Sequence, residues 1–203
     1  MSLDIKTNPS PILCFLHSCI SFKIVYTLSM KNYTYYGSHD PKTTIIYIHG
    51  GAYVMGDRFD LPETLQSLLI EGDRALITID YPLAPQVSVD DIIETVTHHI
   101  NSLIKKYEIT SLMLMGRSAG ANIVLSIDPN LLIIPVKGLI SFYGYSSTDL
   151  LWMNDPIRNL DMPLQQQLVH SINTQDLVSY SRSIHSTYGY YYTLRKLGVW
   201  QET

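Results

Sequence analysis

Residues 112–126 read LMLMGRSAGANIVLS, and they hold the most informative local pattern of the chain. It opens with a short apolar run that predicts a buried strand, and the residues from Ala119 onward favour a helix. Between them, Ser118 lies in a G-x-S-x-G pattern with Gly116 and Gly120. A serine on a sharp strand-to-helix turn takes a strained conformation that exposes its hydroxyl, and the glycines let strand and helix pass closely. The first amides of the helix favour negative charge that develops there.

The same alternation of strand and helix extends outward from this stretch. Apolar runs typical of buried strands occur at residues 44–48, 75–79, 112–115 and 136–142. Helical patterns lie between them at residues 60–71, 88–107 and 119–127. This order predicts an α/β fold with a mostly parallel sheet and helices on both faces. Ligands of such sheets bind beyond the carboxyl ends of the strands.

The chain divides into three parts. Residues 1–43 form an N-terminal extension, with strand character at 22–28 and 32–36. Residues 44–145 hold the alternating core. Residues 146–203 are rich in Tyr, Ser and Gln and contain no buried-strand run. We expect this last part to be a lid-like helical region whose aromatic side chains pack on the core or line a pocket.

Composition excludes several classes of function. Among 203 residues, 14 Lys and Arg face 18 Asp and Glu without a basic stripe, so nucleic acid is not an expected partner. The apolar stretch at residues 12–20 is too short to span a bilayer and has no clear cleavage site after it, so neither membrane insertion nor secretion is expected. Cys14 and Cys19 fit no metal or redox spacing, and two reduced thiols favour a cytoplasmic location.

Two further motifs follow the first two buried strands. Residues 49–53 read HGGAY, and backbone amides in such a glycine turn can supply half of an oxyanion hole. A plain connection between strand and helix has the same composition. Residues 80–85 read DYPLAP, where two prolines stiffen a connection that offers little chemistry of its own.

Together the three motifs resemble the hormone-sensitive-lipase branch of the α/β-hydrolases, which contains carboxylesterases and lipases. HGGA at 49–52, DYxLAP at 80–85 and GxSAGxN at 116–122 occur in the order and at the spacing of that family. The resemblance covers about residues 44–145. It implies an α/β-hydrolase core, a small carboxylic ester as substrate, and neither a cofactor nor a metal.

The resemblance also implies roles for individual residues. Ser118 would be the nucleophile, and the amides of Gly51, Ala52 and Ala119 would form the oxyanion hole. The residues that support these motifs are His49, Gly50, Gly116 and Gly120. His49 belongs to the loop motif and is not expected to be the base.

This chain departs from the family in two motifs. Arg117 stands where the family commonly has Asp, and Pro82 stands where it commonly has Arg. An acidic neighbour of the nucleophile has become basic, so we expect the ion pairs around the turn to differ from those of the family.

The acid and the base of a triad are the largest departure. In this fold they follow later strands, in the order Ser, Asp or Glu, His. No strand pattern follows residue 142, so the sequence predicts a core that lacks its last strands in a C-terminally incomplete chain. The candidates that remain, all expected to be surface or lid residues, are His170, His185, Asp149, Asp155, Asp161 and Asp176. Neither histidine is expected to reach Ser118.

Three functions are compatible with the sequence. The first is ester hydrolysis through an acyl-enzyme on Ser118, with feeble turnover if the triad is incomplete. The second is a non-catalytic remnant or a ligand-binding module without the triad Asp and His. The third is a peptidase or amidase on the same fold. We also expect self-association as a homo-oligomer, because the strand at 136–142 would be an exposed sheet edge.

Overall fold

The structure is a computed structural model that describes residues 32–147 and 178–197, and structural statements refer to these residues. Five strands and four α-helices alternate along them. They are β1 (Tyr33–Gly37), β2 (Thr43–Ile48), α1 (Glu63–Ile70), β3 (Arg74–Ile79), α2 (Val89–Lys106), β4 (Leu112–Arg117), α3 (Ala119–Ser126), β5 (Val136–Phe142) and α4 (Ile184–Leu197). The strand predicted at residues 22–28 lies outside the described residues.

The strands form one mixed sheet in the order β1-β3-β2-β4-β5. β1 runs antiparallel to β3, and the other pairs are parallel. The prediction of a mostly parallel sheet is confirmed. Ile48 lies opposite Ile79 on one side and Gly116 on the other. The carboxyl ends of the three central strands therefore stop side by side, and the loops that follow them share one edge of the sheet.

Each face of the sheet has its own core. Ile46 and Ile48 of β2 pack with apolar residues of α2 and α3 on one face. Ile45 and Tyr47 point the other way and pack on the side of α1. Because successive strand residues alternate between faces, burial of all four requires helices on both faces, as the sequence predicts. Full burial of such a side chain contributes about 1.5–3 kcal/mol.

Most elements begin and end close to the residues that the sequence predicts, and two differ. Ser88 caps α2, since its Oγ accepts the Asp91 amide at 3.2 Å. The helix predicted from residue 60 begins only at Glu63, because Pro62 is extended at the N-cap and a proline disfavours helical backbone in the residue before it. The strand predicted at 112–115 continues to Arg117, because it still pairs there with Phe142 of β5.

β5 is the outer strand of the described sheet. It pairs with β4, and no described strand lies on its other side. None of its residues is fully buried, and Leu139 and Phe142 keep 46% and 39% of their surface exposed. Among the described strands, a partly apolar edge without a partner thus lies next to the strand that carries the G-x-S-x-G motif.

Candidate active site

Ser118 occupies the sharp turn between β4 and α3. Its φ of 52° and ψ of −118° lie in a region that a residue with a Cβ rarely adopts. Glycine is required on both sides of it. A Cβ on Gly116 would lie 2.3 Å from the Gly120 carbonyl oxygen, and one on Gly120 would lie 2.2 Å from the Ile48 carbonyl oxygen. The turn therefore has the geometry that the motif predicts, and β2, β4 and α3 meet there in backbone contact.

The HGGA loop turns back on itself directly after β2. Gly51, Ala52 and Tyr53 all have positive φ, at 121°, 53° and 66°. The amides of Val54 and Met55 both donate to the Gly51 carbonyl at 3.1 Å, which closes the turn. Two of the positive φ values belong to residues that carry a Cβ, so the loop stores backbone strain.

The loop lies directly against the turn that holds Ser118. A Cβ on Gly50 would lie 3.3 Å from Ser118 Cβ and 3.0 Å from the Arg117 carbonyl oxygen. Within the described residues, the amides of Gly51, Ala52 and Ala119 donate to no protein acceptor. The HGGA loop and the start of α3 are therefore adjacent, and these three amides have no acceptor among the described residues. That they form an oxyanion hole stays a prediction.

One carboxylate connects the two halves. Asp60 Oδ2 lies 2.7 Å from Arg117 Nη2 and accepts the Gly50 amide at 3.3 Å. Its Oδ1 accepts the Tyr47 hydroxyl at 2.8 Å. Burial, then the Asp60 charge, raises the pKa of Tyr47, so this hydroxyl stays a donor. The ion pairing expected to differ at Arg117 is thus made with an acid from the segment before α1.

A second ion pair holds the same segment to β3. Arg58 bonds Asp80 through its guanidinium, and its amide donates to Asp80 Oδ1 at 2.7 Å. Burial raises the pKa of Asp80, while the contacts with Arg58 oppose that shift. The sequence predicts little chemistry for the DYPLAP connection, but the connection supplies a buried carboxylate, Asp80, that anchors the segment before α1.

His49 supports the loop through contacts with Tyr81 and Gly50. Its ring stacks on Tyr81 with 4.2 Å between centroids, and its Nδ1 donates to the Gly50 carbonyl at 2.7 Å. Complete burial lowers the pKa of the imidazole, so it stays neutral. None of the imidazole side chains that the structure describes forms a hydrogen bond with Ser118 Oγ.

The other triad candidates fall outside the described part of the molecule. His170 is among the residues that the structure does not describe, and for His185 only the backbone, in α4, is described. The four acidic candidates are also outside it: Asp149, Asp155, Asp161 and Asp176. Their assignment as surface or lid residues stays a prediction.

Asn122 of the G-x-S-A-G-x-N motif joins α3 to both neighbouring loops. Its Oδ1 accepts the Tyr53 hydroxyl, and its Nδ2 donates to the Tyr145 carbonyl at 2.7 Å. Burial raises the pKa of Tyr145 to about 12. The HGGA loop is therefore tied to the helix that begins after Ser118.

Arg182 is a contact that the sequence does not signal. Its Nη1 donates to the Val54 carbonyl at 3.2 Å and to the Ala84 carbonyl at 2.6 Å, and its guanidinium also bonds Gln86. Its backbone pairs with Gly56. These partners lie about a hundred positions away in the chain, so no local pattern could predict them. α4 follows and buries Tyr190 in the core shared by α2 and α3.

The described residues contain neither a metal site nor a membrane-spanning helix. No group of three or more His, Cys, Asp or Glu side chains there could hold a metal ion. No helix of the described ranges is both long and apolar enough to cross a membrane.

Comparison with known proteins shows the family and supports the fold. The family model of the alpha/beta hydrolase fold matches residues 45–166. Kynurenine formamidase of Saccharomyces cerevisiae is 28% identical over 95 residues, which are 44% of this chain and 36% of that protein.

Two solved structures share the architecture. An alpha/beta hydrolase superfamily protein from Enterococcus faecalis has a TM-score of 0.71 and 28% identity, over 84% of this chain and 64% of that one. A protein with unknown function from Staphylococcus aureus subsp. aureus Mu50 has a TM-score of 0.65 and 27% identity, over 83% and 62%. This chain spans less than two thirds of each of these relatives. It belongs to the α/β-hydrolase fold-3 family.

Proposed function

We propose that this chain carries the nucleophile and the oxyanion hole of a serine hydrolase that cleaves small carboxylic esters. One observation carries the proposal. Ser118 is held in a strained turn against a loop, and the amides of Gly51, Ala52 and Ala119 around that turn have no acceptor among the described residues. Unpaired amides beside a strained serine are costly for folding and useful for stabilising an oxyanion.

The reaction would proceed in two steps. Ser118 Oγ attacks the ester carbonyl carbon, its proton passes to a base, and the carbonyl oxygen becomes an oxyanion. Collapse of this intermediate expels the alcohol and leaves an acyl group on Oγ, and water then releases the carboxylic acid. The three amides would donate to the oxyanion, and loss of one such donor costs about 10²–10³ in turnover.

The direct test is covalent labelling with a fluorophosphonate, read out by intact mass. Wild type should gain one adduct, and Ser118→Ala should gain none. Ser126→Ala is the matched control, because Ser126 is an exposed serine at the other end of α3 and should label like wild type. A folded wild-type protein that takes up no label would favour a ligand-binding module, and an adduct on Ser118→Ala would show that another residue is the nucleophile.

A second candidate reaction is hydrolysis of a formamide. Kynurenine formamidase is named for such a substrate, and its similarity to this chain spans 95 residues. The same nucleophile would serve, but the leaving group would be an amine that needs a proton. Turnover of p-nitrophenyl acetate and of formanilide by the same preparation separates the two. Preference for the formamide, abolished in Ser118→Ala, would replace the ester proposal.

A further inference from the structure

We propose that the Asp60–Arg117 pair is a positioning device that holds the HGGA loop against the nucleophile turn. The inference rests on the proposed function, because it concerns how the two halves of that site keep their distance. Neither residue is assigned a direct contact with the substrate, so both are positioning residues rather than catalytic ones.

The placement of the pair in the chain is the first argument. Arg117 immediately precedes Ser118, and Gly50 immediately precedes Gly51 of the oxyanion loop. Asp60 Oδ2 accepts from both, at 2.7 Å from Arg117 Nη2 and 3.3 Å from the Gly50 amide. One carboxylate oxygen therefore fixes the residue before the nucleophile and the residue before the loop amides.

The fixation of Asp60 itself is the second argument. Its other oxygen accepts the hydroxyl of Tyr47, which is a fully buried residue of β2. Arg58, two residues earlier in the chain, is bonded to Asp80 after β3. The Asp60 carboxylate is thus held by Tyr47 of the sheet, and its segment is held by the Arg58–Asp80 pair. It can therefore keep the loop and the turn in place.

Steric crowding supplies the third argument. A Cβ on Gly50 would lie 3.0 Å from the Arg117 carbonyl and 3.5 Å from its Nε. The Gly50 backbone therefore packs closely against Arg117, and we expect a change in the position of Arg117 to shift the loop. Displacement of catalytic groups by about 1 Å can cost on the order of 100-fold in rate.

The pair is expected to matter more for geometry than for stability. Its side chains keep 30% (Arg117) and 9% (Asp60) of their surface exposed, and partly exposed ion pairs contribute little to folding. Asp60→Asn and Arg117→Gln should therefore lower the Tm by less than about 4 °C. Both should reduce kcat, and the rate of phosphonate labelling at Ser118, by about 10-fold to 100-fold with KM within about 2-fold.

Two further variants separate positioning from a general loss of folding. Arg117→Lys keeps the charge and should restore part of the labelling rate. The double variant Asp60→Asn with Arg117→Gln should be no slower than the worse single variant, because the two residues act as one unit. Asp73→Asn is the matched control, since the Lys42–Asp73 pair spans 2.9 Å but is largely exposed. It should change nothing.

Hydrogen exchange makes the test independent of activity. In Asp60→Asn, exchange of the hydrogen-bonded amides of Gly50, Val54 and Met55 should accelerate about 10-fold or more, while Asp73→Asn leaves it unchanged. Exchange and labelling at wild-type rates in Asp60→Asn would overturn the inference and leave the proposed function standing. If exchange is faster in Asp60→Asn but the wild-type protein takes up no phosphonate, the proposed function is refuted. The Asp60 contact then remains as an anchor of the loop only.

Discussion

β4 has two very different neighbours. On its β2 side, the backbones of β2, β4 and α3 meet so closely that a Cβ on Gly120 would lie 2.2 Å from the Ile48 carbonyl oxygen. On its β5 side, a Cβ on Gly138 would lie closest to the terminal methyl group of the Met113 side chain, with Cε 2.8 Å away. An added Cβ would therefore meet backbone at Gly120 and the end of a flexible side chain at Gly138.

Burial follows the same division. Ile46 and Ile48 of β2 are completely buried, whereas no residue of β5 is. β2 has a paired strand on each side and helices over both faces, while β5 is paired in the described sheet only with β4. The candidate site lies where the backbone has least room to move, which is where strained residues such as Ser118 can be held.

The largest expected effect comes from adding one methyl group on each side of β4, at Gly120 and at Gly138. Gly120→Ala should destabilise the protein by more than about 3 kcal/mol or prevent folding, because two backbone oxygens would have to move. Gly138→Ala should change stability by less than about 1 kcal/mol, because Met113 can adopt another rotamer. Urea unfolding of both variants measures the difference.

Equal effects of the two alanines would show that the crowding at the turn relaxes at no cost. Gly138→Ala also serves as the control for the labelling test, since it should still react with a phosphonate. A folded, reactive Gly120→Ala would contradict the need for glycine at the turn.

Acidification should act through the same side of β4. Among the described histidines, burial lowers the pKa of His49 and of His99, and His99 reaches about 4 against an ordinary 6.5. Between these values the unfolded chain binds the proton and the folded one does not, so stability falls as the pH falls through this window. For His99 the loss from pH 7 to pH 4 amounts to about 3 kcal/mol.

Replacement of neighbouring histidines isolates that contribution. His99→Leu should flatten the loss between pH 7 and pH 4 by about 3 kcal/mol, because no buried imidazole remains there to take up a proton. His98→Leu is the control, because His98 is exposed on the same turn of α2. Chemical unfolding at the two pH values gives both slopes, and identical profiles for the two variants would exclude His99 as the source.

Local sequence patterns predicted a large part of this architecture. Apolar runs located the central strands, Ser88 located the start of α2, and the glycines around Ser118 located the turn. Each of these signals lies within a few residues of the feature that it predicts, so tertiary structure had little to override. The family resemblance then assigned the chain to a branch that the family model supports.

Contacts made across the fold were beyond such patterns. Arg117 in place of an acid indicated that the ion pairs around the turn would differ, but nothing in the sequence indicated Asp60 as its partner among 18 acidic residues. The same holds for Arg182, whose partners follow β2 and β3.

The smallest expected effect concerns the open edge. The sequence predicts self-association there, and we propose that β5 of one copy faces β5 of another. Leu139→Lys places a charge at the centre of β5, on a side chain that is 46% exposed, so it should change stability by less than about 0.5 kcal/mol. It should nevertheless weaken self-association about 10-fold, which corresponds to about 1.4 kcal/mol. Leu131→Lys is the control, because Leu131 is also exposed but lies outside β5. Sedimentation equilibrium of the three proteins decides the matter: a wild-type monomer, or equal association of both lysine variants, would remove the β5 edge as an interface.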